Sequence, residues 1–557
     1  MTPVTTAPFG NIALCLSGGG YRAATFALGT VDMLDELDLL KDVKLFSTVS
    51  GGSFTGVTYA AWLSEGKSYA TFYDDFYNFL LTTNCIDKAL NDLYRTPSPS
   101  GSRDLSLIRS AAKVYNDTLF KGRKFAPLSA LVGDDKRFLE LIFNSTEFLR
   151  GNSFRFRASH NPDVFAGNGN FKVIKDIAEE ILLADIVAAS SCFPAAFEPL
   201  RFPDDFNWQS LETVRQRLTE NIGNWPSGFK RDDGKCLSVP LMDGGIYDNQ
   251  GISNAVLADR THDDPDKTIF GLFLISDTSA RDKDMLKYPR PDTKDGWLTI
   301  NMLFWAAVLL YLVSGISAAV LIYWFFAGVE TRSLTWFQII FQFAAPIGLF
   351  LTLMGILGWV YRLFKKNKEI VVSGGKFPLW KWVKRLTMPD FINMAKARFT
   401  SLGTMSGDVF MKRVRQLEFN GIMGDPVRNK RVSFDLIYDM NPTVHPEKPE
   451  VWKLDPSLEP TEQMKKISAT AEIVPTTLWF EGDTDLKLLI VCGQCTTVYS
   501  LLRHLWQRWY LEQKSSPVPI PKPNESNSPW YDIYQELHKK WMELKNDPYS
   551  FLNRNRV

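Results

Sequence analysis

Lys44-Leu45-Phe46-Ser47-Thr48-Val49-Ser50-Gly51-Gly52-Ser53-Phe54-Thr55-Gly56 changes character halfway along. Residues 44–49 form a strand-like apolar run, and from 52 to 64 the pattern turns helical. A serine at a sharp strand-to-helix turn needs small residues two positions away on each side, because the backbone there is strained and closely packed. Two frames fit this stretch. Ser50 lies between Thr48 and Gly52, and Ser53 between Gly51 and Thr55. Ser50 is preferred: it follows the strand directly and leaves Gly51-Gly52 to start the helix. Thr48, where glycine is usual, is that frame's one departure.

The same grammar appears on either side. The run Ile12-Ala13-Leu14-Cys15-Leu16 leads into Ser17-Gly18-Gly19-Gly20-Tyr21-Arg22-Ala23, which opens a helical pattern over 23–37. Successive glycines let peptide N–H groups converge on an anion, and the helix start adds positive potential. No Gly-Lys-Ser/Thr follows, so this is not a nucleotide P-loop, and Ala23 breaks the dinucleotide-binding spacing. A third site, Leu241-Met242-Asp243-Gly244-Gly245-Ile246-Tyr247-Asp248-Asn249, puts an aspartate at a strand end before two glycines. Alternating strands and helices predict an α/β fold with a parallel sheet, whose loops at the carboxyl strand ends carry the chemistry.

Further apolar runs at 238–242, 269–275, 432–438 and 486–492 are expected to continue that sheet. Residues 65–150 are read as an inserted helical cap, and Cys492-Gly493-Gln494-Cys495 as a structural strand-to-helix turn. One cysteine pair cannot complete a four-ligand zinc site, so no metal is expected. Residues 515–529 read as a Pro-rich linker before a short closing helix at about 530–544, within a terminal unit 515–557.

With 557 residues, 45% hydrophobic and 22% charged, the composition is that of a globular chain with room for a large core. Lys+Arg 63 against Asp+Glu 62 supplies no basic field, so no nucleic-acid partner is expected. Six scattered cysteines argue for a reducing compartment, and the first residues do not read as a signal peptide.

Charge vanishes in the middle of the chain. Residues 296–329 and 333–361 contain no Asp, Glu, Lys or Arg, and only Glu330-Thr331-Arg332 parts them. Each exceeds the roughly 20 residues that cross a ~30 Å hydrocarbon core as a helix. The expectation is a transmembrane hairpin over 296–364, with spans at about 297–327 and 334–361. Arg281, Lys283, Lys287, Arg290 and Lys294 precede it and Arg362, Lys365, Lys366 and Lys368 follow, which places both termini and the α/β domain on the cytoplasmic side of the cell membrane. Residues 1–295 and 365–514 then fold together, with 377–385 as a possible interfacial segment.

Gly18-Gly19-Gly20-Tyr21-Arg22, Thr48-Val49-Ser50-Gly51-Gly52, Asp243-Gly244-Gly245 and Ala188-Ala189-Ser190-Ser191-Cys192-Phe193-Pro194-Ala195-Ala196-Phe197, in their order and spacing, resemble the patatin-like phospholipase family. The resemblance covers about residues 10–280 firmly and 400–510 loosely. It departs at Ser17, Ala23 and Thr48. It implies a Ser–Asp dyad: Ser50 as nucleophile, Asp243 as base, and the amides of Gly18, Gly19 and Gly20 as oxyanion hole, with no cofactor. Arg22 is a candidate phosphate contact. Five histidines (His160, His262, His445, His504, His538) all lie outside these motifs, in keeping with a dyad. The expected function is a membrane-anchored serine acyl hydrolase acting on phospholipids or lysophospholipids. The alternatives are an inactive lipid-binding scaffold, and an acyltransferase or lipase working on other esters.

Overall fold

The computed structural model describes residues 8–95, 106–159, 166–194, 196–221, 238–261, 269–279, 281, 297–326, 351–352, 355, 370–372, 375–377, 385–405, 409–441, 451–552, 554 and 556. The chain divides into two units, Met1–Lys283 with Phe410–Val557, and Asp284–Val409.

In the first unit the apolar runs become strands β1 (Asn11–Leu16) and β2 (Val43–Val49), followed by helices α1 (Gly20–Glu36) and α2 (Gly51–Ser64). Helices α3 (Tyr69–Thr82), α4 (Cys85–Arg95) and α5 (Leu107–Tyr115) come next, then β3 (Glu140–Glu147), β4 (Asn152–Ser159), β5 (Ala166–Gly167) and β6 (Lys172–Val173). Helix α6 (Leu183–Ser191), β7 (Leu200–Phe202), β8 (Val239–Asp243), α7 (Ile252–Thr261) and β9 (Phe270–Asp277) complete the part before the insertion.

The sheet is parallel at its centre. Strand β1 pairs in parallel with β2 and β9, and β2 with β3. From β3 outward the pairing is antiparallel, to β4 and to β8. Strand β3 acts as a ruler for the site: Val49 of β2 pairs with Asn144, and the next residue, Ser145, pairs with Asp243 of β8. Two loops 193 residues apart in sequence are thereby brought to one strand end.

The cap expected over 65–150 differs from what forms. Its last residues are β3, a central strand buried along its whole length. Phe72, Phe76 and Phe79 of α3 are buried, and Phe79 stacks on Phe54 of α2. These helices belong to the core because their aromatics face inward on one side.

Within the second unit, Ile300–Phe326 is a helix (α8) whose Trp305, Leu309, Leu312, Val313, Ile316, Tyr323 and Phe326 are exposed. Nearly all of the second expected span, 334–361, and residues 378–384 of the interfacial segment lie outside the described residues. A short hairpin, Ile370–Val372 with Gly375–Phe377, and helix α9 (Met388–Thr404) are also present.

The chain re-enters the first unit with α10 (Phe410–Gly424) and β10 (Val432–Leu436), which pairs in parallel with β9 and completes that edge. The strand expected at 486–492 is instead part of α12 (Thr484–Ser515), which follows α11 (Glu462–Ile473). Periodicity does not separate a fully buried helix from a buried strand. Cys492-Gly493-Gln494-Cys495 is therefore mid-helix, not a turn. Gly493 fits there because a Cβ would come 2.3 Å from the Phe26 carbonyl of α1, and Gly29 of α1 is packed as tightly on Ile490. The segment read as a linker lies along this helix, with Trp509 Nε1 donating to the Ile520 carbonyl at 2.9 Å. Helix α13 (Tyr531–Asn546) then buries Leu537, Trp541 and Leu544. Among the described residues, α12 is the helix long and apolar enough to cross a membrane, and 83% of its apolar window is buried in protein. That burial marks it as a core helix.

Candidate active site

Ser50 sits between β2 and α2 with φ 48 and ψ −114. A non-glycine residue is held in such a conformation only when its surroundings over-determine it. They do. The Ser50 N–H donates to Ser190 Oγ at 2.9 Å, and Ser190 Oγ donates to the Asn144 carbonyl at 2.6 Å. Glycine is required at 51 and 52, where a Cβ would lie 2.2 Å from the Gly20 carbonyl oxygen and 2.5 Å from that of Leu16. Thr48 is accommodated by its neighbours: its hydroxyl bonds Ser53 Oγ at 2.9 Å, and its methyl faces Gly56. Ser53 is thus engaged by Thr48 and Ser190. Of the two frames, Ser50 occupies the strained turn and Ser53 supports it.

The glycine loop lies directly beside this turn. A Cβ on Gly18 would be 3.1 Å from Ser50 Cβ. The Gly18 N–H donates to the Asn249 carbonyl at 2.9 Å, so it is already spent. Among the described residues no carbonyl takes the N–H of Gly19 or Gly20, whose φ values are 144 and 57. Of the three expected oxyanion donors, two are available. Ser17, the departure before the glycines, accepts the Thr278 N–H at 3.2 Å through its hydroxyl.

Asp243 is 3% exposed, at the end of β8. Its N–H donates to the Cys192 carbonyl and that of Gly244 to the Ser190 carbonyl, so the end of α6 holds both the serine turn and the aspartate loop. Asp243 Oδ1 accepts the Gly245 N–H at 2.7 Å. Burial pushes the carboxyl up to about 6, against the pull of the Gly245 N–H and of a hydrogen bond from the Ser50 side chain. A carboxylate with that pKa is a usable base at neutral pH.

Arg22 lies elsewhere than on an open phosphate site. Its Nη1 donates to the Val474 carbonyl at 2.9 Å and to that of Glu472 at 3.3 Å, while Nε is buried without a partner among the described residues. Burial and the nearby Arg415 lower its pKa to about 10. Asn249, which sequence reasoning passed over, fills the space between Gly18 and Gly245. Its amide oxygen accepts from Arg415 of α10 (Nε at 2.9 Å), which turns Nδ2 toward those two glycines. Ser190 and Asn144 were also missed as supports, although Ser190 falls in the 188–197 segment singled out from sequence. His504 and His538, the described histidines, bond Val432 and Ser457 and take no part here. No group of three or more metal-ligating side chains occurs among the described residues.

Residues 14–256 match the family model described as Patatin, patatin-like phospholipase, so this stretch is a patatin-like phospholipase domain. No curated protein matches the chain. Among solved structures it is similar to human GIVD cytosolic phospholipase A2, at 13% identity and TM-score 0.29 over 49% of this chain and 46% of that one. It is also similar to VipD from Legionella pneumophila, at 12% identity and TM-score 0.21 over 56% of this chain and 55% of that one. The chain spans about half the length of each.

Proposed function

We propose that the protein is a serine acyl hydrolase that cleaves fatty acyl esters of phospholipids or lysophospholipids through Ser50 and Asp243. The observation that carries this reading is the strained Ser50 turn facing a buried Asp243 whose carboxyl is tuned to about 6. The patatin-like phospholipase domain at 14–256 supports the substrate class.

Ser50 Oγ attacks the ester carbonyl carbon while its proton passes to Asp243. The carbonyl oxygen becomes an oxyanion held by the amides of Gly19 and Gly20. Collapse breaks the bond to the alcohol, which leaves with the proton from Asp243, and the fatty acyl group remains on Ser50. Asp243 then takes a proton from water as the water oxygen attacks the acyl carbonyl, and Ser50 recovers its proton when the fatty acid departs. Preorganised amides cost no reorganisation at the moment of reaction, and losing one such donor costs about 2.7–4 kcal/mol in comparable sites.

Membrane anchoring belongs to the same reading. The uncharged stretches 296–329 and 333–361 form the anchor, a hairpin with cytoplasmic flanks, and the exposed apolar side chains of α8 support its first half. Tethering raises the local lipid concentration seen by the site.

The test is fatty acid release from phospholipid vesicles by the purified chain, with Ser50→Ala and Asp243→Asn as controls. Undiminished release in both variants refutes the assignment. Carbonate washing of membranes tests the anchor: the full chain stays with the pellet, and a variant lacking 297–361 enters the supernatant.

A further inference from the structure

Away from the serine turn, the sheet face under α7 carries a cavity that the proposed reaction does not use, its wall mostly apolar but bearing several charged side chains. Its volume is about 250 Å³, and its lining includes Glu140, Arg155, Arg157, Asn168, Lys172 and Asn254, but neither Ser50, Asp243 nor the glycine loop. Strand register explains the charge. Asn144 pairs with Arg155 and Ile142 with Arg157, so the two arginines project from alternate positions of β4 onto one face.

The two arginines are not equivalent. Arg157 is committed to Glu140, with Nε 3.0 Å from Oε2 and Nη2 bonded to Oε1. The Arg155 guanidinium has no side-chain hydrogen bond or ion pair among the described residues; burial and the charge of Arg157 press its pKa down, against the pull of the Glu140 carboxylate and of Tyr247. A half-buried cation whose nearest carboxylate is already engaged by another arginine is costly unless something completes it. Asn168, 6% exposed, accepts the Asn170 and Phe171 N–H groups through Oδ1 and keeps a buried Nδ2 with no partner among the described residues. Lys172 stands exposed at the rim. Three cations face a single carboxylate, a balance that a dianion closes.

We propose that this pocket binds a phosphate-class anion, inorganic phosphate or a phosphomonoester, between Arg155 and Lys172, and that its occupancy is felt at the Ser50 turn. A guanidinium fork suits phosphate oxygens, and the lysine adds a point charge. The route inward is a chain of hydrogen bonds. Asn254 Nδ2, in the pocket wall, donates to Asn144 Oδ1 at 2.7 Å and to Ser153 Oγ at 3.0 Å. Asn144 Nδ2 donates to Ser47 Oγ and to the Thr48 carbonyl, both at 3.0 Å. The Asn144 carbonyl accepts from Ser190 Oγ, which itself accepts the Ser50 N–H. One residue thus touches the pocket wall, the strand before the serine and the serine's own support.

Binding is tested by calorimetry on the full chain in a non-ionic detergent, titrated with inorganic phosphate and with glycerol 3-phosphate. Flotation with phosphatidylcholine vesicles, with and without phosphatidic acid, tells a lipid headgroup from a soluble phosphate. The proposal expects saturable phosphate binding that weakens about tenfold or more in Arg155→Gln and is partly kept in Arg155→Lys. Dependence on phosphatidic acid alone, lost in Arg155→Gln, assigns the site to lipid. Binding to none of these probes, or full affinity in an Arg155→Gln protein that melts like the parent, overturns the site. Hydrogen exchange tests the connection: peptides covering 44–56 slow on adding phosphate to the parent and not to Arg155→Gln. Phosphate binding with unchanged exchange there overturns the connection. Neither arm requires hydrolysis, so each stands or falls apart from the catalytic assignment.

Discussion

Two places in the molecule use glycine to bring backbones into contact, and they do different things with it. At the serine turn, Gly51 and Gly52 press against Gly20 and Leu16; at the crossing of α1 and α12, Gly29 and Gly493 press against Ile490 and Phe26. The approach is equally tight. What differs is what remains unspent. At the turn, the N–H groups of Gly19 and Gly20 have no acceptor among the described residues, and the Ser50 hydroxyl faces a carboxylate. At the crossing, Gln494 Nε2 donates to Asp32 at 2.7 Å, and Cys492 Sγ donates to the Ile437 carbonyl at 3.3 Å. Burial also drives both thiols of Cys492 and Cys495 far from ionisation. The crossing leaves an acceptor, Gln494 Oε1, without a partner among the described residues beside thiols that stay protonated, whereas the turn leaves N–H donors free beside a hydroxyl that faces a carboxylate.

The largest expected effect is on turnover. Ser50→Ala should lower fatty acid release at least about 10³-fold, since a nucleophile has no substitute, while leaving the melting temperature close to the parent's. A parallel fall in both would show the turn to be structural.

Asp243→Asn separates the two kinds of site more sharply, because it should abolish release and raise stability. The Asp243 carboxyl is raised from 3.8 to about 6 by burial. The native state therefore binds the proton more tightly than the unfolded chain, and stability falls as pH rises between those values, by roughly 3 kcal/mol at most. Above pH 6 a neutral amide removes that penalty. Thermal melts of parent and variant at pH 7.5 check the sign; a destabilised variant contradicts the burial account.

The same group sets the pH profile. Release should climb about tenfold per unit below pH 6 and level off above it, as the base form fills. A profile controlled near pH 7 with a histidine-like signature would count against a dyad.

At the crossing, effects should appear in stability alone. Gly493→Ala should cost about 1–3 kcal/mol through overpacking, read by denaturant melts, with kcat per folded molecule unchanged. Smallest of all, Cys492→Ala with Cys495→Ala should leave release intact and shift stability modestly.

Much of this was legible in the chain. Strands β1, β2, β8, β9 and β10 were each marked by an apolar run, because strands buried on both faces have no reason to alternate. The three glycine-bearing loops were visible because close backbone approach excludes side chains. The run at 486–492 misled for the same reason: a helix enclosed on all sides shows no amphipathic stripe. Residues 65–150 misled differently, since their aromatic faces signalled helices correctly but not that β3 lay among them.

Sequence by itself marked the candidate positions: a serine at a strand-to-helix turn, an aspartate before two glycines, a run of three glycines, and two stretches without charge. Tertiary structure alone decided that β3 holds Val49 and Asp243 at successive positions, that Gly18 spends its amide on Asn249, and that Glu140 bonds Arg157 and leaves Arg155 without a side-chain hydrogen bond among the described residues. The reason is that composition and local pattern act over a few residues. Pairing register and the accounting of each buried donor are instead settled by segments that meet only once the chain has folded.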